Sequence, residues 1–267
     1  MPAPTQVARA GLDRLPAPVQ RRARDLLTRV VTRRAMRELE PFLARVAAAI
    51  DGFDGKRVVE IGSDGAGGTL RAVAARYAPL ELIGLNPASE SRTLADRIEL
   101  RRTRAETSGL RHESVDAVFS SSAFEHIDDL AGVLREMHRV LVPGGRLYSH
   151  FGPIWSTSYG HHLWVTEGAR RFTYHDVLLP PWAHLLLSPE QVHALLEPAH
   201  GAARAARMRD FIFGSDEQNG LFFDDYERIV EQSPFQTCAS ISRRGWMRKR
   251  SASLRTWPHS TTPARGT

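Results

Sequence analysis

Apolar residues follow two rhythms along the chain. Between residues 19 and 50, Leu26, Leu27, Val30, Val31, Leu39, Phe42, Leu43, Val46 and Ile50 recur three and four apart, the spacing that lines one face of a helix. Pro41 predicts a break between two helices. Asp51-Gly52 and Asp54-Gly55 predict a loop. Beyond it the rhythm changes. Short apolar runs predict strands over 57–61, 80–85, 98–102, 115–120 and 146–151. Between them, helical patterns predict helices over 69–77, 89–96 and 129–140, the last with Leu130, Val133, Leu134, Met137 and Val140 on one face. Pro143-Gly144-Gly145 predicts the turn into the fifth strand. Alternating units of this kind imply an α/β fold with a parallel sheet covered on both faces.

The alternation stops after Phe151. Residues 152–223 are rich in aromatics, His, Pro and Gly, and read as an insertion over the carboxyl edge of the sheet. A helix over 224–233 and strands over 235–242 and 251–257 are expected to follow. The chain therefore divides into a disordered start (1–18), N-terminal helices (19–50), a core (51–151), an insertion (152–223), a helix and strands completing the core (224–257) and a tail (258–267).

Composition narrows the chemistry. The single cysteine, Cys238, excludes an intramolecular disulfide and a cysteine metal cluster. No apolar stretch approaches the length of a membrane span, and the start of the chain has no signal-type apolar segment. A cytoplasmic location is expected. Of the net charge of +6, residues 1–40 carry +5 and residues 241–267 carry +7, which leaves the middle at −6. Basic ends can meet nucleic acid or anionic lipid, or remain solvated. Lys56 and Lys249 are the only lysines and no G-x-x-x-x-G-K-[ST] run occurs, so Schiff-base and P-loop chemistries lack support.

The segment Val58-Val59-Glu60-Ile61-Gly62-Ser63-Asp64-Gly65-Ala66-Gly67-Gly68 ends a buried strand in an acid, then a glycine-rich turn enters a helix. Glycine there lets a ligand approach the backbone, and the helix start supplies free N–H groups. The second strand ends in Asn86-Pro87. Further on come Arg104-Ala105-Glu106, then Ser120-Ser121-Ser122-Ala123-Phe124-Glu125-His126-Ile127, then Leu134-Arg135-Glu136-Met137-His138-Arg139-Val140-Leu141-Val142-Pro143-Gly144-Gly145-Arg146-Leu147. In this order and spacing, residues 56–151 resemble the class I S-adenosylmethionine-dependent methyltransferases, in particular small-molecule and sugar O-methyltransferases. Asp64, Ala66, Asn86 and Arg104 depart from the usual pattern, in which glycines and carboxylates occupy those places.

The resemblance implies a Rossmann-like sheet and S-adenosyl-L-methionine as cofactor. It implies cofactor contacts at Glu60, Gly62, Ser63, Asp64, Gly65, Asn86, Ala105, Glu106 and Ser121. Glu60 would face the methionine end and Asn86 the ribose; on this basis Asn86→Asp should hold the ribose at least as well. His126, His161 and His162 are the candidates for a general base, since an unperturbed imidazole titrates near ~6.5. The aromatic insertion would be a lid that holds a small polar acceptor, such as a sugar or a secondary metabolite. No metal site is expected, nor a membrane partner, and a small molecule is favoured over nucleic acid. Two alternatives stay open: methylation of RNA or DNA aided by the basic ends, and a degenerate protein that binds the cofactor without catalysis.

Overall fold

The structure is a computed structural model and describes residues 39–237 and 250–255. Expectations for residues 1–38, 238–249 and 256–267 lie outside the described residues. Helix α1 covers 39–50 and contains Pro41, so no break occurs within that stretch. Its residues Phe42, Leu43, Val46 and Ile50 are buried, as their spacing predicts.

The core alternates as expected. Strand β1 (Arg57–Ile61) leads to helix α2 (Gly68–Arg76) and strand β2 (Glu81–Leu85). Strands β3 (Arg92–Ala95), β4 (Ile98–Arg101) and β5 (Val115–Ser121) follow, then helix α3 (Leu130–Val140) and strand β6 (Leu141–Phe151). The sheet is completed by β9 (Gln236–Thr237) and β10 (Arg250–Arg255). Its order is β3-β4-β2-β1-β5-β6-β10-β9. Neighbours from β4 to β6 run parallel, whereas β3, β10 and β9 join antiparallel at the two ends.

Alternation along each parallel strand feeds two cores. Val59, Ile61, Ile83, Leu85 and Val118 pack with α3 and with Tyr226 and Val230 of helix α7 (Phe223–Glu231). Val58, Leu82, Leu100, Ala117 and Phe119 pack with α1 and α2. Successive side chains of a strand point to opposite faces, so Glu60 shares the face of Val58.

Residues 89–96 are a correction. The expected helix is strand β3, paired antiparallel with β4. Leu94 and Ala95 are its only apolar pair among exposed polar neighbours, too few for a buried helical stripe. The Ser91 hydroxyl accepts from the Arg102 amide at 2.8 Å, and the segment satisfies its backbone on the open edge of β4. Pro143-Gly144-Gly145 also lies within β6, where the register to β5 shifts. Gly145 is needed there, because a Cβ would sit 2.8 Å from the Val142 carbonyl.

The aromatic segment has structure of its own. A hairpin of β7 (Trp164–Glu167) and β8 (Arg170–Thr173) precedes helices α4 (Ala183–Leu186), α5 (Pro189–His200) and α6 (Ala202–Gly214). Leu163, Phe172, Val192, Leu196, Ala205, Met208 and Ile212 form a separate apolar cluster. Among the described residues no helix is long and apolar enough to cross a membrane.

Candidate active site

A cavity of about 390 Å³ opens at the carboxyl ends of β1, β2 and β5, where ligands bind in open α/β sheets. Gly62, Asn86, Ala105, Glu106 and His126 are among its walls. Gly62 has φ +80° and a Cβ there would lie 2.5 Å from the Ala123 Cβ. Only glycine combines that backbone conformation with that proximity.

The remaining residues of the loop hold it together. Asp64 accepts from the amides of Ala66 and Gly68 at 2.7 and 2.9 Å, so it satisfies donors at the start of α2, where a glycine of the usual pattern could not. Gly65 faces Ser89 across the loop. Ser63 is wholly buried and packs on Gly84, where any Cβ would meet it at 2.7 Å. Glu60 lies beneath the loop on the α2 side and is not part of the cavity wall. Burial pushes its carboxyl up to about 7, while the hydroxyls of Ser63 and Thr69 act in the opposite direction.

Asn86 serves as a clamp. Its side-chain amide donates to the Ser63 carbonyl at 2.8 Å and its Oδ1 accepts from the Ala88 amide at 2.8 Å. A carboxylate could make the second bond but not the first, which reverses the expectation for Asn86→Asp. At the other end of the cavity, Arg104 donates to Glu106 at 2.9 Å, so the arginine that replaces the usual carboxylate neutralises the acid two residues on. The adjoining loop is anchored to α3: Arg139 donates to the Leu110 carbonyl and to Glu136, and Ser108 donates to Glu136 at 2.5 Å. Burial alone would raise the Glu136 carboxyl, yet Arg139 and Ser108 hold it below its usual value. The Glu-x-x-Arg pair on α3 therefore braces the cavity without lining it.

The three candidate histidines separate. His126 lines the cavity, and its ring stacks on that of His162 with centroids 4.9 Å apart. His161 is buried against His184 at 5.7 Å and, with His162, borders a second, smaller cavity. Burial, with a smaller contribution from His184, lowers its pKa to about 4. Its Nδ1 accepts from the Leu163 amide, so its proton sits on Nε2. His184 donates from Nε2 to the Trp155 carbonyl, so its Nδ1 is an acceptor. The rings pack edge to face, and His161 Nε2 and His184 Nδ1 are both buried without a hydrogen-bond partner among the described residues. Ser121 is half-buried at the end of β5 and outside the cavity wall, whereas its neighbour Ser122 lines the cavity with φ +52°.

Three residues in the site escape sequence reasoning, and a fourth, Glu125, is quoted there only as part of a motif, with no role. Glu217 lines the cavity, and its carbonyl accepts from His126 Nδ1. Gln218 donates from Nε2 to the Pro153 carbonyl at 2.8 Å and to His162 Nδ1. Asn219 donates to the carbonyls of Phe124 and Ile127 at 2.8 and 3.0 Å and accepts from the Tyr226 hydroxyl at 2.9 Å. Glu125 is wholly buried and accepts from the Gly152 amide at 2.9 Å. The partners of the first three lie between 7 and 95 positions away, and the only local signal is the Asn219-Gly220 turn.

Carbonyls only accept, so both tautomers follow. The Glu217 carbonyl requires a proton on His126 Nδ1, leaving the lone pair on Nε2. The Pro153 carbonyl fixes the orientation of the Gln218 amide, which then donates to His162 Nδ1. The proton of His162 is therefore on Nε2. Glu125, His126 and His162 place ligand-type atoms within 4.8 Å of one another. Among these three, the His162 Nδ1 lone pair accepts from Gln218.

Residues 59–149 match the family described as methyltransferase domain. This stretch, about a third of the chain, is similar to methyltransferase domains. The match spans β1 to β6, the strands whose ends enclose the cavity. Among solved structures, an S-adenosylmethionine-dependent methyltransferase from Mesorhizobium loti is 17% identical with a TM-score of 0.51, covering 79% of this chain and 96% of its own. A protein from Listeria monocytogenes assigned to the same class is 11% identical with a TM-score of 0.50, covering 80% and 96%. At these identities the two structures establish the fold alone. No curated protein sequence matches the chain.

Proposed function

We propose that the chain methylates a hydroxyl oxygen of a small polar acceptor, with His126 as general base. The observation that carries this reading is the hydrogen bonding of His126. The Glu217 carbonyl holds the Nδ1 proton, so Nε2 is the basic nitrogen at the edge of the cavity. His162, stacked beside it, carries its proton on Nε2 and would orient the acceptor as a donor. His161 is a core residue in this reading, kept neutral by burial.

The cavity fits S-adenosyl-L-methionine. Gly62 and Ala105 leave backbone accessible along its walls, and Glu106 supplies an acceptor at one end. Asn86 and Pro87 border the place where the ribose would lie. Glu60, Ser63, Asp64 and Gly65 would support the loop from behind. When bound, the cofactor supplies a methyl group on a positively charged sulfur. The protein has to position the acceptor oxygen in line with that methyl, exclude water and accept one proton. Within residues 152–223, Trp155, His162, Phe211 and Phe213 line a second, smaller cavity, and the segment would act as the lid over the acceptor.

Calorimetry with S-adenosylhomocysteine tests the cofactor half of the proposal: absence of binding to the intact chain overturns it. For the base, His126→Ala should lower turnover by ~10²–10⁴-fold and leave cofactor affinity within a few fold. Retained turnover in that variant would remove His126 from the mechanism.

A further inference from the structure

Strand β3 stands at the edge of the sheet, yet its side chains reach the loop that leads out of β1. Resting on the proposed function above, we propose that β3 and the turn before it are a clasp that holds the glycine-rich loop in its cofactor-binding shape, with Arg92 and Leu94 as positioning residues.

The loop needs support from outside because of its own composition. Gly62 and Gly67 at its two ends have φ +80° and +63°, and glycine loses more conformational freedom on ordering than any other residue. Asp64 acts from within, accepting from the amides of Ala66 and Gly68. Those bonds fix the end of the loop next to α2 but do not reach the Gly65 carbonyl or the outer side of Gly67. Gly67 caps α2 without a side chain to anchor it.

Residues 86–95 cover those points. Asn86 donates to the Ser63 carbonyl. Ser89 is buried against Gly65, where a Cβ would lie 3.5 Å from its hydroxyl. The Arg92 guanidinium donates to the Gly65 carbonyl. Leu94 covers Gly67 so closely that a Cβ there would fall 2.3 Å from Leu94 Cδ1.

Register explains how an edge strand reaches so far. Arg92 pairs with Leu100 of β4, so the two share a face of the sheet, and Leu100 belongs to the core on the α2 side. The register shifts between Thr93 and Ala95, which makes Leu94 the extra residue of a β-bulge. A bulge bends its strand and re-aims a side chain. Here it sets Leu94 against the same core, beside Gly67. Thr93, between the two positioning residues, is exposed.

The same stretch lines the cofactor cavity through Asn86, Pro87 and Ala88. Cavity wall and clasp are therefore one piece of chain. A loop already fixed when the cofactor arrives avoids part of the ordering cost of binding, so the clasp acts on cofactor affinity rather than on methyl transfer.

Arg92 is exposed, which makes it the clean place to test. By calorimetry on the full chain, Arg92→Ala should bind S-adenosylhomocysteine about fivefold or more weakly, the scale of one lost hydrogen bond, at an unchanged melting temperature. Arg92→Lys keeps a charged donor and should restore affinity to within about twofold of wild type. Thr93→Ala alters the same strand away from the loop and should bind as wild type does. In hydrogen exchange without ligand, the amides of Ala66 and Gly68 should exchange faster in Arg92→Ala than in wild type. Wild-type affinity in Arg92→Ala, a melting temperature that falls in step with affinity, an equal loss in Thr93→Ala, no restoration by lysine, or unchanged exchange at Ala66 and Gly68 each overturn the proposal. Failure of the wild-type chain to bind S-adenosylhomocysteine overturns the cofactor reading instead, and the exchange measurement, which uses no ligand, still decides whether β3 holds the loop.

Discussion

Replacing Glu60 by glutamine should change how stability depends on pH. Glu60 lies wholly inside the protein beneath the glycine loop, and its pKa is raised from 4.5 to about 7. In the unfolded chain the carboxyl titrates near its ordinary value, so between these two pH values the native state holds a proton that the unfolded state has lost. The stability contributed by that proton is complete below 4.5 and is lost as pH rises through 7. At about 1.36 kcal/mol per pH unit, the interval corresponds to roughly 3 kcal/mol. Glutamine keeps the shape and never ionises. His161 works in the opposite sense. Its pKa falls from 6.5 to about 4, so the unfolded state binds the proton first and stability rises with pH across that window. The two effects oppose each other between 4.5 and 6.5, and the wild-type profile alone reveals neither. The difference between Glu60→Gln and wild type isolates the carboxyl. Urea unfolding followed by circular dichroism, from pH 4.5 to 8, should show the variant gaining roughly 2–4 kcal/mol relative to wild type as pH rises. Parallel profiles would mean that Glu60 titrates normally, and the placement of its side chain would be wrong.

Gly62→Ala should destabilise the protein by about 2 kcal/mol or more, since a left-handed backbone costs a non-glycine residue roughly 1–2 kcal/mol before the collision with Ala123 is counted; thermal unfolding checks it. Asn86→Asp loses the bond to the Ser63 carbonyl and places a carboxylate beside that oxygen, so S-adenosylhomocysteine should bind about tenfold or more weakly by calorimetry. An unchanged or tighter constant would return Asn86 to the simple ribose role. Asn219→Ala strips the carbonyls of Phe124 and Ile127 of their donor, which should cost about 1–3 kcal/mol in urea unfolding and loosen the His126 turn.

The parallel sheet and its order of elements are legible because β1, β2 and β5 are short apolar runs bounded by turn residues, and because Leu130, Val133, Leu134, Met137 and Val140 mark the inner face of α3. The ends of those strands, and hence Gly62, Asn86, Ala105 and His126, follow from the same pattern. Residues 89–96 were misread because an edge strand with one apolar pair lacks the periodicity that separates strand from helix. What Asn86 and Asp64 do was not legible either. A side chain's role depends on the partner it reaches, and Asn86 reaches back 23 positions to Ser63. The choice among three histidines required the fold as well. His161 and His162 are adjacent in sequence, yet one is enclosed with His184 and the other packs on His126, a difference set by partners 23 and 36 positions away from them.

The separate apolar cluster of residues 163–212 bears on how such an enzyme diversifies. Trp155 and the last turn of α6 line the smaller cavity, while the sheet that would hold the cofactor draws its stability from two other cores. Phe211 and Phe213 can therefore be exchanged, and the α5–α6 pair recombined with a relative's, without disturbing the packing of β1, β2 and β5. On the proposed function the sheet would be a constant methyl-donating half and residues 163–212 a replaceable head, so new acceptors should be accessible by chimeras joined near Phe151 and Phe223 more readily than by redesign of the loop around Gly62.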